Sequence, residues 1–132
     1  MFKIIFLVLT LSLHVFAGTC LEIPEVEFNE WMKIRPKTPA LSSLIQAKKI
    51  VDTEKEYALS LGTDKTAHCY LGCRVNAQTN FETARYLAWQ KEHSDATDCN
   101  TETHFDVDDY KATLTGAQIP SDSCVTTCQK LY

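Results

Sequence analysis

Three short polar motifs in this sequence have residue types and spacings that could carry chemistry. They are Asp64-Lys65-x2-His68, Glu92-x2-Asp95 and Asp106-x2-Asp109. Asp64 and His68 share a helix face through their i,i+4 spacing, and Glu92 and Asp95 share one through i,i+3. If such helices pack together, an imidazole and several carboxylates converge. This donor set suits a hard or borderline divalent ion, and it could also pair a general base with an acid.

The motifs give two overlapping sets of candidate residues. The catalytic candidates are His68 and Glu92, and the candidate metal ligands are His68, Asp95 and Asp109, with a divalent metal as the cofactor that such a cluster would hold. Structural roles compete with this interpretation. Asp64 can cap a helix, and Asp106 with Asp109 is typical of a capping box. Carboxylates with such local roles are commoner than functional sites.

Six cysteines follow residue 17, and an even number in an exported chain of this size predicts three disulfides formed in an oxidising compartment. Two pairs have i,i+4 spacing, so on helices both sulfurs of a pair project from one face. Antiparallel packing of these helices would form Cys69–Cys128 and Cys73–Cys124, leaving Cys20–Cys99. Parallel packing would exchange the partners of the first two bonds. A zinc site made from the cysteines and His68 is the competing interpretation. The cysteines are Cys20, Cys69, Cys73, Cys99, Cys124 and Cys128.

Residues 1–17 are typical of a signal peptide. One positive charge, Lys3, precedes an apolar stretch that is shorter than the ~20 residues of a spanning helix, and Val15-x-Ala17 provides a cleavage site after Ala17. An uncleaved anchor and a lipoprotein modified at Cys20 are the alternatives. We predict a secreted or periplasmic protein with no transmembrane segment after cleavage, whose residues 18–132 form a single disulfide-rich helical domain.

The rest of the chain predicts an all-α fold: a small disulfide-stabilised bundle of four or five helices with an extended N-terminal arm. The arm reaches Pro39 with one helical turn near Trp31, and no segment has a convincing strand pattern. Asp106 is the expected N-cap of the fourth helix, and Gly116 is where the chain should leave it. The predicted helices lie between residues 39 and 62, 63 and 75, 80 and 97, 106 and 116, and 123 and 131.

The charge of the chain bears on its partners. The formal net charge is −4, and the basic residues are scattered along the sequence. Neutralising phosphates requires clustered Lys and Arg, so nucleic acid is not an expected partner. The partner that we predict is another protein.

The order of the three polar motifs resembles a family of small predicted bacterial lipoproteins of unknown function. In addition, Asp64–Val75, which contains DK-x2-HC-x3-C, is similar to a cysteine-bearing domain near the C-termini of Rhs-type repeat proteins. The resemblance spans residues 63–117 and implies a bacterial protein of the cell envelope or a secreted one, with no defined activity. The matched polar positions are Asp64, His68, Glu92, Asp95 and Asp109.

Three functions are compatible with the sequence, and whether the protein is an enzyme is left open. The first is a non-enzymatic module that binds another protein in the cell envelope or outside the cell. The second is a metal-dependent hydrolase or toxin-like effector, in which the metal activates a water molecule and a carboxylate serves as base. The third is a carrier of small apolar ligands, which predicts a large cavity lined by Phe81, Leu44 and Trp89. The short spacing between Cys124 and Cys128 distinguishes the chain from six-cysteine helical odorant-binding proteins.

Overall fold

The computed structural model describes residues 20–132, and within them the chain is helical with no strand. This confirms the predicted all-α class. The predicted signal peptide, residues 1–17, lies outside the described residues. In the described part, no helix is long and apolar enough to cross a membrane. The helices are α1 (Glu25–Lys33), α2 (Leu41–Ser60), α3 (Asp64–Gln78), α4 (Phe81–Thr97), α5 (Val107–Gly116) and α6 (Cys124–Leu131).

The segment predicted as an extended arm with one helical turn instead contains the nine-residue helix α1, and it is non-helical only before and after this helix. Glu25 and Glu27 lie in the first turn of α1 and Lys33 lies in its last, so the charges complement the helix dipole. Trp31 is the buried residue of this helix, and its ring stacks on that of Trp89 of α4, with the ring centroids 6.2 Å apart. The helix therefore forms because its local charges suit it and its one buried aromatic residue has a partner on the bundle.

The middle helices begin where the sequence predicts. Thr63 caps α3 by a capping box with Thr66, and Asn80 caps α4 by accepting a hydrogen bond from the Thr83 amide. Asp106 caps α5, as predicted, by accepting a hydrogen bond from the Asp108 amide. These caps fix the first turns of α3 and α5, which carry the polar residues discussed below.

Three disulfides tie the bundle together, and all six cysteines are bonded. The structure has the antiparallel alternative: Cys69–Cys128 and Cys73–Cys124 join α3 to α6, each with a Cα–Cα distance of 5.7 Å. Cys20–Cys99 attaches the segment before α1 to the end of α4. The fully bonded cysteines leave no thiolate for the zinc alternative.

Helix α3 lies at the centre of the bundle and packs against α2, α4, α5 and α6. Its closest neighbour is α5, and two glycines permit this approach. A Cβ atom on Gly72 would lie 2.1 Å from the carbonyl oxygen of Thr113, and one on Gly116 would lie 1.8 Å from that of Cys69. Gly116 has no positive φ. Its role is close helix packing, in addition to ending α5 as predicted.

Candidate functional site

The close crossing of α3 and α5 brings three potential metal ligands together. Asp64 and His68 are one turn apart on α3, and Asp109 faces them from the first turn of α5. The Nε2 atom of His68 lies 3.5 Å from Oδ2 of Asp109 and 3.8 Å from Oδ2 of Asp64. Ligand atoms that share one divalent ion through bonds of about 2.0–2.2 Å are themselves about 3–4 Å apart. The spacing therefore fits one ion better than it fits direct hydrogen bonds.

The hydrogen bonds of Thr113 determine which nitrogen of His68 carries the proton. The Thr113 hydroxyl donates its single hydrogen to the carbonyl oxygen of Asp109 at 3.0 Å. It must therefore accept at its 3.3 Å contact with Nδ1 of His68, which places the imidazole proton on Nδ1. In the neutral ring, the lone pair of Nε2 then faces two carboxylate oxygens. A cation between these three atoms would stabilise the arrangement, as expected of a metal-binding histidine whose other nitrogen is oriented by a hydrogen bond.

A lysine balances part of the negative charge around this group. The ammonium group of Lys65 lies 2.5 Å from Oδ2 of Asp106 and 2.6 Å from Oδ1 of Asp109. Burial opposes the charge on Lys65, but the two carboxylates outweigh it and raise the pKa of the lysine. The same contact with Lys65 lowers the pKa of Asp106. The three carboxylates of Asp64, Asp106 and Asp109 and the single ammonium group of Lys65 give a formal net charge of −2. A divalent ion would neutralise this charge.

Glu92 lies behind this network and does not line the groove described below. Its side chain is only 1% exposed, and its Oε2 accepts a hydrogen bond of 2.7 Å from the backbone amide of Asp106. Burial raises the pKa of Glu92 from its ordinary 4.5 to about 7. In this geometry the predicted catalytic candidate is a positioning residue, which holds the N-cap of α5 so that Asp106 and Asp109 meet Lys65.

The raised pKa of Glu92 predicts a pH-dependent stability. At pH values below about 4.5, Glu92 is protonated in both the folded and the unfolded state, so its protonated carboxyl contributes fully to the stability of the fold. As the pH rises to about 7, only the unfolded state releases the proton, and folding loses roughly 3 kcal/mol. Glu92→Gln stays neutral and can still accept from the Asp106 amide. Urea unfolding in EDTA should therefore show the variant gaining roughly 3 kcal/mol relative to the parent protein between pH 4.5 and 7.5. A constant difference across this range would contradict the pKa assignment.

Asp95, the remaining predicted ligand, is not one of the three converging residues. It is buried on α4 and forms an ion pair with Lys91, one turn earlier. Both residues line the groove that contains His68. The structure thus brings His68 and Asp109 together as ligand candidates, adds Asp64, and places Asp95 on the wall opposite α2.

A groove of about 1050 Å³ runs from this polar group along α3. Helix α2 forms one wall, α4 forms the other, and the segment 102–106 with α5 closes the polar end. The lining includes Leu44, as the carrier hypothesis predicts, but neither Phe81 nor Trp89. Trp89 is instead buried against Trp31. The apolar part of the lining consists of Leu44, Val51, Leu59, Ala67, Leu71, Val75, Ala84, Leu87 and Ala88.

Sequence reasoning did not assign a role to Lys65 or Thr113. The available signal was helical spacing: Thr113 is four residues after Asp109, so the two share a face of α5. Lys65 lies beside Asp64 in the chain but projects from α3 towards α5. Only the tertiary packing shows that it contacts carboxylates more than 40 positions away.

No protein-family model, curated protein or solved structure matches this chain. The resemblance of residues 63–117 to bacterial lipoproteins and Rhs-associated domains therefore stays a prediction. The functional argument depends on the geometry of the site itself.

Proposed function

We propose that this protein is an exported metal-dependent hydrolase with its centre at Asp64, His68 and Asp109. The observation that carries the proposal is the convergence of one imidazole nitrogen and two carboxylate oxygens within 4.8 Å of one another at the end of a groove. Three protein ligands beside open space are typical of catalytic rather than structural metal sites. The three disulfides are typical of an oxidising compartment, which supports a secreted or periplasmic location.

The donor set indicates which ions fit. One imidazole and two carboxylates suit Zn²⁺ or Mn²⁺ better than Ca²⁺, which prefers oxygen ligands alone. Such an ion would supply Lewis acidity and would activate a water molecule at neutral pH. Thr113 keeps the His68 ring in the tautomer that leaves Nε2 free, and Lys65 orients the Asp109 carboxylate. All three side chains line the groove, so a substrate bound there would lie beside them.

Binding of another protein is a second candidate function, favoured by an apolar patch at the start of α2. Leu41 and Ile45 are one helical turn apart and are 73% and 62% exposed. Exposed apolar pairs of this kind occur at protein interfaces, although two residues form only a small patch. The hydrolase proposal is preferred because it also accounts for the convergence of His68 with two carboxylates, of which that of Asp109 is buried.

Metal binding should stabilise the folded protein measurably. After treatment with EDTA and its removal, Zn²⁺ or Mn²⁺ at 100 times its Kd should add about 2.7 kcal/mol of stability, which corresponds to a rise of about 10 °C in Tm. His68→Ala should abolish the rise, because it removes the only nitrogen ligand of the group. His93→Phe is the matched control, since His93 lies outside the three-residue group and outside the groove lining, and phenylalanine keeps an aromatic ring against Trp89.

The same variants separate binding from catalysis. With metal present, p-nitrophenyl butyrate should be hydrolysed by the parent protein and by His93→Phe, and at least about 100-fold more slowly by His68→Ala. An unchanged melting curve in excess metal, or equal metal responses of the two histidine variants, would remove the proposal.

A further inference from the structure

The groove has a polar end and an apolar end, and the order of its lining residues follows from the helix directions. Helices α2 and α4 both run antiparallel to α3, so Leu59 and Lys91 lie near the Asp64 end, whereas Val51 and Leu87 pack with Val75. Leu44 lies two helical turns beyond Val51, at the far end of the groove. Val75 is seven residues beyond His68, or about 10 Å along the helix. A ligand that fills the groove would therefore place a polar group at His68 and an apolar chain towards Leu44.

The cations on the groove wall favour an anionic reaction product. Lys48 and Lys55 project from α2 along the groove, and Lys91 faces them from α4. Lys48 is paired with Asp52, and Lys91 with Asp95. Within residues 20–132, no carboxylate forms an ion pair with Lys55, which lies on α2 between Val51 and Leu59. An anionic group at the polar end of an apolar chain would complement this free ammonium group.

We infer that the substrate of this site is a fatty-acyl ester, with its single chain along Val51, Leu71 and Leu44 and its ester carbonyl beside His68. This inference rests on the proposed hydrolase function. In the reaction, a water oxygen bonds to the acyl carbon and the acyl C–O bond breaks. The alcohol leaves with one proton from the water, and the fatty acid is released with the other. The fatty-acid carboxylate is the anion that Lys55 would contact.

The inference predicts a chain-length dependence. With Zn²⁺ or Mn²⁺ present, kcat/KM should rise about tenfold for every two methylene groups from p-nitrophenyl butyrate through octanoate to laurate, because each added methylene is buried in the groove. Leu44→Gln should lower the laurate-to-butyrate ratio of kcat/KM about tenfold, since a four-carbon chain does not span the distance from His68 to Leu44. Val26→Gln, an exposed position on α1, is the control and should keep the ratio of the parent protein.

A second readout, independent of hydrolysis, is the binding of laurate. Both Leu44→Gln and Lys55→Gln should weaken its binding by about tenfold, whereas Lys49→Gln on the same helix, outside the groove lining, should not change it. His68-dependent hydrolysis that is equally fast for butyrate and laurate would overturn the inference and leave the hydrolase standing. If laurate binding depends on Leu44 but no ester is hydrolysed, the assignment of the groove as an acyl-binding site stands and the proposed hydrolase function is overturned. Absence of both laurate binding and hydrolysis would overturn both.

Discussion

Gly116→Ala is expected to destabilise the protein by roughly 3–5 kcal/mol. The added methyl group would begin 1.8 Å from the carbonyl oxygen of Cys69 and 2.6 Å from its carbonyl carbon. Both atoms belong to the backbone of α3, which two disulfides hold in place, so no side-chain rotation relieves the clash. Helices α3 and α5 must separate, which is the costly kind of overpacking. Urea unfolding monitored by circular dichroism measures the loss.

Gly62→Ala is the matched control for this variant. Its Cβ would approach only the side chain of Thr66, with a nearest distance of 3.0 Å to Oγ1, and Gly62 is exposed between α2 and α3. We expect a change within about 1 kcal/mol. Because separation of α3 and α5 also moves Asp109 away from His68, Gly116→Ala should lose the metal-induced rise in Tm. A Gly116→Ala protein as stable as the parent would show that the two helices do not cross this closely.

Removal of both disulfides between α3 and α6 is the second change with a large expected effect. Loss of the first bond restores the entropy of an unfolded loop of 51 or 59 residues, or about 4 kcal/mol, and loss of the second adds a smaller amount. Helix α6 has little intrinsic stability because Val125, Thr126 and Thr127 are β-branched. Alanine at all four positions should therefore release α6 and lower the free energy of unfolding by at least about 4 kcal/mol.

Limited proteolysis distinguishes this effect from general destabilisation. The variant that lacks both bonds should be cleaved first between residues 118 and 132. A control that replaces Cys20 and Cys99 should be cleaved first in the segment before α1, because that bond attaches only this segment to α4. Identical cleavage patterns in the two variants would contradict separate roles for the bonds.

The sequence predicts the all-α class and most helix boundaries, because these signals are local. The i,i+4 spacing of Cys69 with Cys73, matched by Cys124 with Cys128, restricts two helices to two arrangements, and the structure has the antiparallel one. Caps at Asn80 and Asp106 mark helix starts for the same local reason. α1 was missed as a full helix because the prolines on both sides of it favoured an extended chain, whereas burial of Trp31 depends on distant partners.

The candidate site could be predicted only in part, since it depends on how helices face one another. His68 and Asp109 lie on helices whose packing two glycines determine, but a glycine in sequence is equally typical of a helix end. Glu92 and Asp95 do share a face of α4, as their spacing predicts. That face directs Glu92 to the Asp106 backbone and leaves Asp95 paired with Lys91. The Lys91–Asp95 pair has the i,i+4 spacing of one helix, but the contact between Glu92 and the Asp106 backbone does not follow from periodicity along α4.

Diffraction from crystals soaked in Zn²⁺ or Mn²⁺, recorded at the absorption edge of the metal, tests the central claim most directly. The account predicts one anomalous peak about 2.0–2.2 Å from Nε2 of His68 and at a similar distance from one oxygen each of Asp64 and Asp109. The peak should be missing in crystals of His68→Ala. Ions bound only to other surface carboxylates, with no density among these three side chains, would contradict the account.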